Sequence, residues 1–283
     1  MIRNKSFENN KPLIYLIATP IGNLGEMSKR ALDVIQEMDV IAAEDTRNTY
    51  SLLSHFGIKK ELFSLREHNE IEASEHLLRL VKNGKKVAYV SDAGYPGISD
   101  PGYLLVKKAR EEGIAVSTVS GSCAFINALV ASGLPTDHFY FYGFLSKKGN
   151  EGKKALESLT DRPETLIFYE SPHQIEETIK LLFNVFGDRN CVIARELTKL
   201  NEEYISGSLS ELVNLDFKTI KGEIVLVLEG QNAENELIND EKIQEKLRFY
   251  MSLGVTEKAA IQIAVEELKV PKNRVYKLAQ QLK

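Results

Sequence analysis

Short apolar runs alternate with amphipathic helical patterns through the first part of the chain. Runs with the length and composition of buried strands occur at Leu13–Ile17, Val40–Ala43, Leu62–Leu65, Val87–Val90 and Ile114–Val119. Between them, apolar residues recur at helical spacing in Ser28–Met38, Thr46–His55, Ile71–Val81 and Tyr103–Glu112. Strands that alternate with helices predict a parallel sheet with right-handed crossovers and helices on both faces.

A second set of apolar runs follows near Phe139–Tyr142, Thr165–Tyr169, Val192–Arg195 and Glu223–Leu228. The pattern predicts the α/β fold class, with one domain over 12–121 and another over 122–230, joined near Gly121–Gly133. The polar stretch 230–240 is typical of a linker. Beyond it, helical patterns near Glu241–Leu253, Thr256–Leu268 and Lys272–Leu282 predict a small C-terminal helical module over 241–283.

The bulk composition disfavours several classes of protein. With 43% hydrophobic and 27% charged residues, the chain of 283 residues is typical of globular proteins. No apolar stretch approaches the roughly 18 residues of a membrane helix, and the polar N-terminus lacks the apolar core of a secretion signal. The expected location is therefore cytoplasmic. Two cysteines and five histidines, without HxH or HExxH spacing, disfavour a disulfide framework and a metal enzyme.

The net charge of −4 is unevenly distributed along the chain. From Glu241 onwards there are nine Lys or Arg and five Glu, which leaves −8 for the preceding residues. An acidic bulk disfavours indiscriminate nucleic-acid binding, whereas a compact module with a basic last helix is typical of helix-turn-helix nucleic-acid binders. A helix that contacts a second copy of the chain explains the same pattern, so both roles stay open.

The loop Ser91–Gly102, with the sequence SDAGYPGISDPG, carries the densest chemical signal. Its three glycines permit positive φ angles and close backbone approach, and its two prolines fix φ and remove N–H donors. The loop follows a predicted parallel strand, at the edge where open α/β sheets bind their ligands, and it presents Asp92 and Asp100 there. The structural alternative is a turn in which the two aspartates act as turn or helix caps.

Other predicted strands end in loops of similar character. ATPIGNLGEMS follows the first strand, AEDTR the second and SGSCA the fifth. None has the GxGxxG or GxxxxGK[ST] spacing of a dinucleotide or phosphate loop. In AEDTR, the structural alternative is that Asp45 caps a helix and pairs with Arg47. In the second half, YESPH, ARELTK and KGE each place a glutamate near a strand end, where a surface ion pair is the structural alternative.

These motifs together resemble the tetrapyrrole-methylase superfamily, and within it the 16S ribosomal RNA cytidine 2′-O-methyltransferases. The resemblance rests on TPIGNLG, AEDTR, SDAG, ISDPG, YESPH, ARELTK and KGE, in consistent order from about Leu13 to Leu228. Tyr95 departs from the family pattern, which usually has a small residue there. The resemblance implies two α/β domains of the tetrapyrrole-methylase type with S-adenosyl-L-methionine in the cleft between them, and a homodimer.

The resemblance also implies which residues contact the cofactor. The expected contacts are Thr19, Pro20, Ile21, Asp92, Gly94, Pro96, Ser122, Cys123, Ala194 and Gly222. No metal is expected at the site. A ribose hydroxyl is a poor nucleophile, so a positioned base is expected to accept its proton, and Asp45, Asp100 and Glu170 are the candidates.

The expected partner is 16S ribosomal RNA or the small ribosomal subunit, without a membrane. Lysines near the Phe139–Gly143 run and the basic last helix are the expected phosphate contacts; the lysines are Lys147, Lys148, Lys153 and Lys154. Three alternatives stay open: a tetrapyrrole C-methyltransferase, a non-catalytic RNA-binding protein, and a hydrolase built on Cys123. The hydrolase has no GxSxG motif to support it.

Overall fold

The structure is a computed structural model that describes residues 13–146, 150–231, 240–268 and 270–282. Its contacts divide the chain into two compact units, Met1–Ala124 and Phe125–Lys283. Each unit contains one five-stranded sheet, as expected for two α/β domains. The C-terminal helices belong to the second unit. The division into 12–121, 122–230 and 241–283 stays a prediction, and residues 232–239 of the predicted linker lie outside the described residues.

The first unit contains a wholly parallel sheet. Its strands are β1 (Leu13–Ile17), β2 (Val40–Ala43), β3 (Glu61–Ser64), β4 (Val87–Val90) and β5 (Ala115–Val119). They lie in the order β3-β2-β4-β1-β5, and every neighbouring pair is parallel. The intervening helices are α1 (Lys29–Glu37), α2 (Thr46–His55), α3 (Glu70–Lys82) and α4 (Tyr103–Glu111). The predicted parallel sheet is therefore confirmed.

Successive side chains of a strand point to opposite faces of the sheet, so the strands contribute to two separate cores. In β4, Val87 and Tyr89 pack with α3 and α4, whereas Ala88 and Val90 face the core formed with α1 and α2. Fully buried aliphatic side chains such as Leu77 contribute about 1.5–3 kcal/mol each. All four residues of β4 are buried, which is typical of a central parallel strand covered on both faces.

The second unit contains a mixed sheet. Its strands are β6 (Phe139–Phe144), β7 (Thr165–Glu170), β8 (Asn190–Arg195), β9 (Glu203–Ser208) and β10 (Ile224–Leu228). They lie in the order β6-β7-β10-β8-β9, and only the β6/β7 pair is parallel. Strand β9 was not predicted, because EYISGS has no apolar run.

The helices of the second unit are α5 (Ala124–Ala131), α6 (Glu151–Glu157), α7 (Ile175–Phe186), α8 (Leu209–Leu212), α9 (Asp240–Ser252), α10 (Glu257–Leu268) and α11 (Lys272–Gln280). Helix α5 occupies the segment that the sequence suggested as a joint. Helices α9 to α11 share a small core that includes Ile243, Leu247 and Val275. Among the described residues, no helix is long and apolar enough to cross a membrane.

Candidate active site

The strand order of the first unit places four of the loops that carry the sequence motifs side by side. Because β2, β4, β1 and β5 are neighbours in one parallel sheet, the loops after them meet at its carboxyl edge. These are the AEDTR, SDAGYPGISDPG, ATPIGN and SGSCA segments. The structure therefore brings together the predicted contacts from the first unit: Thr19, Pro20, Ile21, Asp92, Gly94, Pro96, Ser122 and Cys123.

The loops after β1 and β4 are joined by an isolated antiparallel bridge. Thr19 and Gly94 exchange backbone hydrogen bonds of 2.9 and 3.0 Å. The buried Thr19 hydroxyl donates to the Ser91 carbonyl at 3.1 Å, and the Ser91 hydroxyl donates to the Gly94 carbonyl at 3.0 Å. Gly94 has a φ of +76°, a conformation that favours glycine. The two loops thus form one stiff unit.

The loop after β5 contacts the loops after β1 and β4. The Gly121 N–H donates to the Tyr95 phenol oxygen at 3.2 Å, so Tyr95, one of the residues that depart from the family pattern, links two loops. A Cβ at Gly121 would lie 2.9 Å from the Ala18 Cβ, so only glycine fits without a shift. The Ser122 hydroxyl donates to a Glu26 carboxylate oxygen at 2.6 Å. The three loops predicted to hold the cofactor are therefore interlocked.

The AEDTR loop is tied to Asp92. The Asp45 N–H donates to Asp92 Oδ1 at 3.1 Å, and the Asn48 side-chain amide donates to Asp92 Oδ2 at 2.7 Å. Asp45 itself caps α2 by accepting from the Arg47 N–H at 2.9 Å, and its carboxylate also pairs with the Arg47 guanidinium. These hydrogen bonds hold the pKa of Asp45 well below its usual range. The structure thus shows the helix cap and the ion pair with Arg47 that the motif offered as the structural alternative, and a catalytic role for Asp45 stays a prediction.

The carboxylates of Glu44, Asp92 and Asp100 lie close enough together at this edge for their negative charges to repel one another. Burial, together with the negative charges of Glu44 and Asp92, raises the pKa of the half-buried Asp100 from 3.8 to about 7, against the lowering effect of the Ser91 hydroxyl. Burial and Asp92 also raise the pKa of Glu44. A carboxyl group with a pKa near neutrality is suited to exchange protons at the pH of the cell.

Side chains from β4 and α3 hold the loop that carries Asp100. The buried Tyr89 phenol donates to the Pro101 carbonyl at 2.9 Å. Gly102 has a φ of +131°, and a Cβ there would lie 2.8 Å from the Tyr89 ring. A carboxylate oxygen of Glu70 accepts from the Gly102 and Leu104 N–H groups at 2.8 and 3.0 Å, which caps α4. The residues that directly follow Asp100 are therefore held by contacts with residues distant in sequence.

In the second unit, Glu170 lies at the carboxyl end of β7 and is 7% exposed. One carboxylate oxygen accepts from the Ser171 N–H at 2.7 Å and the other from the Thr178 hydroxyl at 2.6 Å. Both oxygens are thus committed to the start of α7. A structural role explains this arrangement, and a catalytic role stays a prediction.

The ARELTK and KGE motifs meet at the same edge of the second sheet. Lys199 Nζ lies 2.9 Å from carboxylate oxygens of both Glu196 and Glu223. Glu196 and Thr198 have positive φ angles of 50° and 67°, which are uncommon for residues other than glycine. A Cβ at Gly222 would lie 2.1 Å from Glu196 Oε1, so this glycine makes room for the Glu196 side chain.

The remaining predicted residues have the following placements. Ala194 lies in β8, fully buried between β10 and β9. Lys153 lies 3.8 Å from Glu157 in an exposed ion pair, and Lys154 also lies on α6. Lys147 and Lys148 lie outside the described residues. Across the described ranges, no group of three His, Cys, Asp or Glu side chains is arranged to hold a metal ion.

Sequence reasoning missed several residues at this edge. It missed the Asn48 contact with Asp92, the Glu26 contact with Ser122 and the influence of Glu44 on Asp100. Glu44 stands inside AEDTR, so the motif contained the signal. Asn48 and Glu26 are exposed residues whose positions in the sequence give no hint of these partners.

Comparison with known proteins places this architecture in a family. The family of tetrapyrrole (corrin/porphyrin) methylases matches residues 13–213. A relative from Bacillus subtilis (strain 168), "Ribosomal RNA small subunit methyltransferase I", is 42% identical over 98% of each chain. A relative of the same name from Escherichia coli O157:H7 is 43% identical over 99% of this chain and 98% of its own.

The chain belongs to the ribosomal RNA small subunit methyltransferase I family, within the tetrapyrrole methylases. Solved structures agree with this family at the level of the fold. The uroporphyrin-III-C-methyltransferase from Thermus thermophilus aligns with a TM-score of 0.56 at 20% identity, over 77% of this chain and 94% of its own. The methyltransferase CobJ aligns with a TM-score of 0.58 at 17% identity, over 78% and 95%. The expected fold class is therefore confirmed, and the chain is an enzyme of a methyltransferase family.

Proposed function

We propose that this enzyme transfers a methyl group from S-adenosyl-L-methionine to the ribose 2′-hydroxyl of a cytidine in 16S ribosomal RNA. One observation carries the proposal. Relatives named as ribosomal RNA small subunit methyltransferases match nearly the whole chain at 42–43% identity. The interlocked loops and the carboxylates of the first unit support the chemistry.

The residues at the carboxyl edge of the first sheet fit this cofactor. S-adenosyl-L-methionine supplies an electrophilic methyl group on a positively charged sulfonium. The negative charge of Glu44, Asp92 and Asp100 favours a cationic ligand there. The glycines of the loops leave backbone groups accessible. In this proposal Thr19, Pro20, Ile21, Asp92, Gly94, Pro96, Ser122 and Cys123 hold the cofactor, and Ala194 and Gly222 contribute from the second unit.

Asp100 is the strongest of the three candidate bases. Its raised pKa, about 7, makes it a better proton acceptor than an ordinary carboxylate while leaving much of it ionised at neutral pH. Asp45 is a weak base, because Arg47 stabilises its charged form. Glu170 has both oxygens engaged by Ser171 and Thr178. Proton acceptance by a positioned group contributes about 10²- to 10⁴-fold to a rate.

The partners in this proposal are the small ribosomal subunit and a second copy of the chain, in the cytoplasm. Exposed Lys272 and Lys277 on α11, together with Lys153 and Lys154 on α6, are available for phosphate contacts. Such contacts make affinity fall as salt concentration rises.

The decisive experiment measures transfer of labelled methyl from S-adenosyl-L-methionine to small ribosomal subunits purified from cells that lack this gene. Nuclease digestion then identifies the labelled nucleoside. We expect 2′-O-methylcytidine. A label on a base, a label on an added porphyrinogen, or cofactor binding without transfer to RNA would each contradict the proposal. The last two outcomes favour a tetrapyrrole methyltransferase and a binding protein, respectively.

A further inference from the structure

A depression in the first unit lies between the loop after β1 and helix α2. Its volume is about 420 Å³, within the range of small-ligand pockets, roughly 300–1,000 Å³. It is lined by Pro20, Gly22 and Leu24 from the loop after β1, and by Ser91 and Asp92 from the loop after β4. Helix α2 contributes Asn48, Thr49, Ser51, Leu52 and His55.

The polar groups of the depression are held in place. Asp92 Oδ1 accepts from the Asp45 N–H at 3.1 Å, and Asp92 Oδ2 accepts from the Asn48 amide at 2.7 Å. Each carboxylate oxygen has two acceptor sites, so Asp92 can accept further hydrogen bonds. The Asn48 amide has a second N–H and a carbonyl oxygen besides the N–H used here. The pair therefore presents acceptors and a donor side by side.

This pattern is complementary to cytosine. A cytosine presents a donating amino group beside two acceptors, and carboxylates are the usual partners of that amino group. Uracil presents a carbonyl in place of the amino group and would face the Asp92 carboxylate with an acceptor. The depression thus has the means to distinguish the two pyrimidines.

The other wall residues suit the faces of a base. Proteins that read single-stranded RNA stack unpaired bases on aromatic side chains, histidine among them. The His55 ring packs edge to face with Phe56 at a centroid distance of 4.9 Å, which restricts its orientation. Leu24 is 41% exposed, and Leu52 adds a second apolar side chain. Unpaired bases of RNA loops can be splayed out and bound in such a depression.

We propose that this depression receives the target nucleotide beside the cofactor, and that Asn48 and the acceptor sites of Asp92 that the cofactor leaves open read the Watson–Crick edge of its cytosine. The inference rests on the proposed function and deepens it by assigning the specificity for cytidine. The location agrees with the chemistry, because Asp92 belongs to the loop that also carries Asp100. On the far side of α2, Arg47 and the 64% exposed Tyr50 are placed to contact flanking nucleotides.

The test compares Asn48→Ala and His55→Ala with Ser54→Ala, an exposed residue of α2 that does not line the depression. Each protein is assayed on small subunits that carry cytidine or uridine at the position mapped for the wild type. Calorimetry measures the affinity for S-adenosyl-L-methionine, and circular dichroism checks the fold. A wild type that methylates no RNA would refute the proposed function before any variant is compared.

We expect the wild type to prefer cytidine, and Asn48→Ala to reduce that preference on the order of ten- to a hundredfold. His55→Ala should lower kcat/KM for RNA on both substrates, and Ser54→Ala should match the wild type. Cofactor affinity should stay within twofold in His55→Ala and Ser54→Ala, whereas Asn48→Ala should lower it, because Asn48 holds Asp92, a proposed cofactor contact. An unchanged preference in folded Asn48→Ala would overturn the inference. A loss of cofactor affinity in His55→Ala would also overturn it, since the depression would then belong to the cofactor site.

Discussion

Replacing Asp100 by asparagine should make the enzyme more stable and far less active. Asparagine keeps the size of the side chain but carries neither the charge nor the proton. At pH 8 the native state holds Asp100 ionised beside Glu44 and Asp92, although burial and these charges raise its pKa to about 7. The substitution removes this unfavourable ionisation together with the proposed base.

The size of the stability gain follows from the raised pKa. A carboxyl group with a folded-state pKa of about 7 and an ordinary value of 3.8 destabilises the fold as pH rises through that interval. At 1.36 kcal/mol for each pH unit, the full difference is about 4 kcal/mol. Solvent screening at this half-buried site reduces it to about 2 kcal/mol. Asp100→Asn should therefore raise Tm by about 4–8 °C at pH 8 and change it little at pH 4.

The activity of the wild type should rise with pH as the Asp100 carboxyl group ionises. With a pKa of about 7, Asp100 is mostly protonated at pH 6 and mostly ionised at pH 8, so kcat/KM for RNA at pH 6 should be about tenfold below its value at pH 8. Glu44→Gln removes one cause of the raised pKa of Asp100 and should move the rise in kcat/KM to lower pH. Asp100→Asn should lose about 10²- to 10⁴-fold in turnover, with a far smaller loss of cofactor affinity.

Asp45→Asn is the matched control, because Arg47 already suppresses proton acceptance by Asp45. Methyl transfer to small subunits in single-turnover assays measures the activity, and thermal unfolding at two pH values measures the stability. If Asp100→Asn keeps more than a tenth of wild-type turnover, the assignment of the base is wrong. An absence of stabilisation at pH 8 would refute the electrostatic reasoning itself.

Three further predictions test other parts of the site. Glu170→Gln should destabilise the protein by about 1–3 kcal/mol in urea unfolding, because a buried acceptor is lost, and the turnover of the folded fraction should stay within severalfold; a thousandfold loss would restore Glu170 as a base. Gly121→Ala should weaken cofactor binding about tenfold in calorimetry, equivalent to about 1.4 kcal/mol, because its Cβ would lie 2.9 Å from the Ala18 Cβ; unchanged affinity would show that the loops adapt. Replacing Lys153 and Lys154 by alanine should make RNA affinity less dependent on salt, and an unchanged salt dependence would exclude them as phosphate contacts.

The sequence predicts the central strands of the first sheet well, because these strands are covered on both faces. Continuous apolar runs mark such strands, and the bounds of β1, β2 and β4 agree with the prediction. The second sheet is harder to predict, because strand order and direction depend on pairing between distant residues. Strand β9 pairs with β8 along its whole length, yet it shows no run of apolar residues in the sequence.

The motifs predict where the site lies, but they do not rank its residues. Asp45, Asp100 and Glu170 are each a carboxylate near a strand end, and only for Asp45 does the motif itself contain the partner, Arg47. Contacts across the fold distinguish the other two: the neighbouring charges of Glu44 and Asp92 at Asp100, and the Thr178 hydroxyl at Glu170. A pKa depends on three-dimensional neighbours, so a linear motif cannot supply the ranking.

Ser122 illustrates how a motif residue can serve the loops as well as the cofactor. Its hydroxyl donates to Glu26 at 2.6 Å, so a loss of cofactor affinity in Ser122→Ala alone could arise from the loosened loops. A double-mutant cycle with Glu26→Ala separates the two causes, because the structural contact is already absent in that background. If Ser122 contacts the cofactor, Ser122→Ala should weaken binding equally in both backgrounds. If it serves only Glu26, its effect should vanish once Glu26 is removed, and the predicted contact would be wrong.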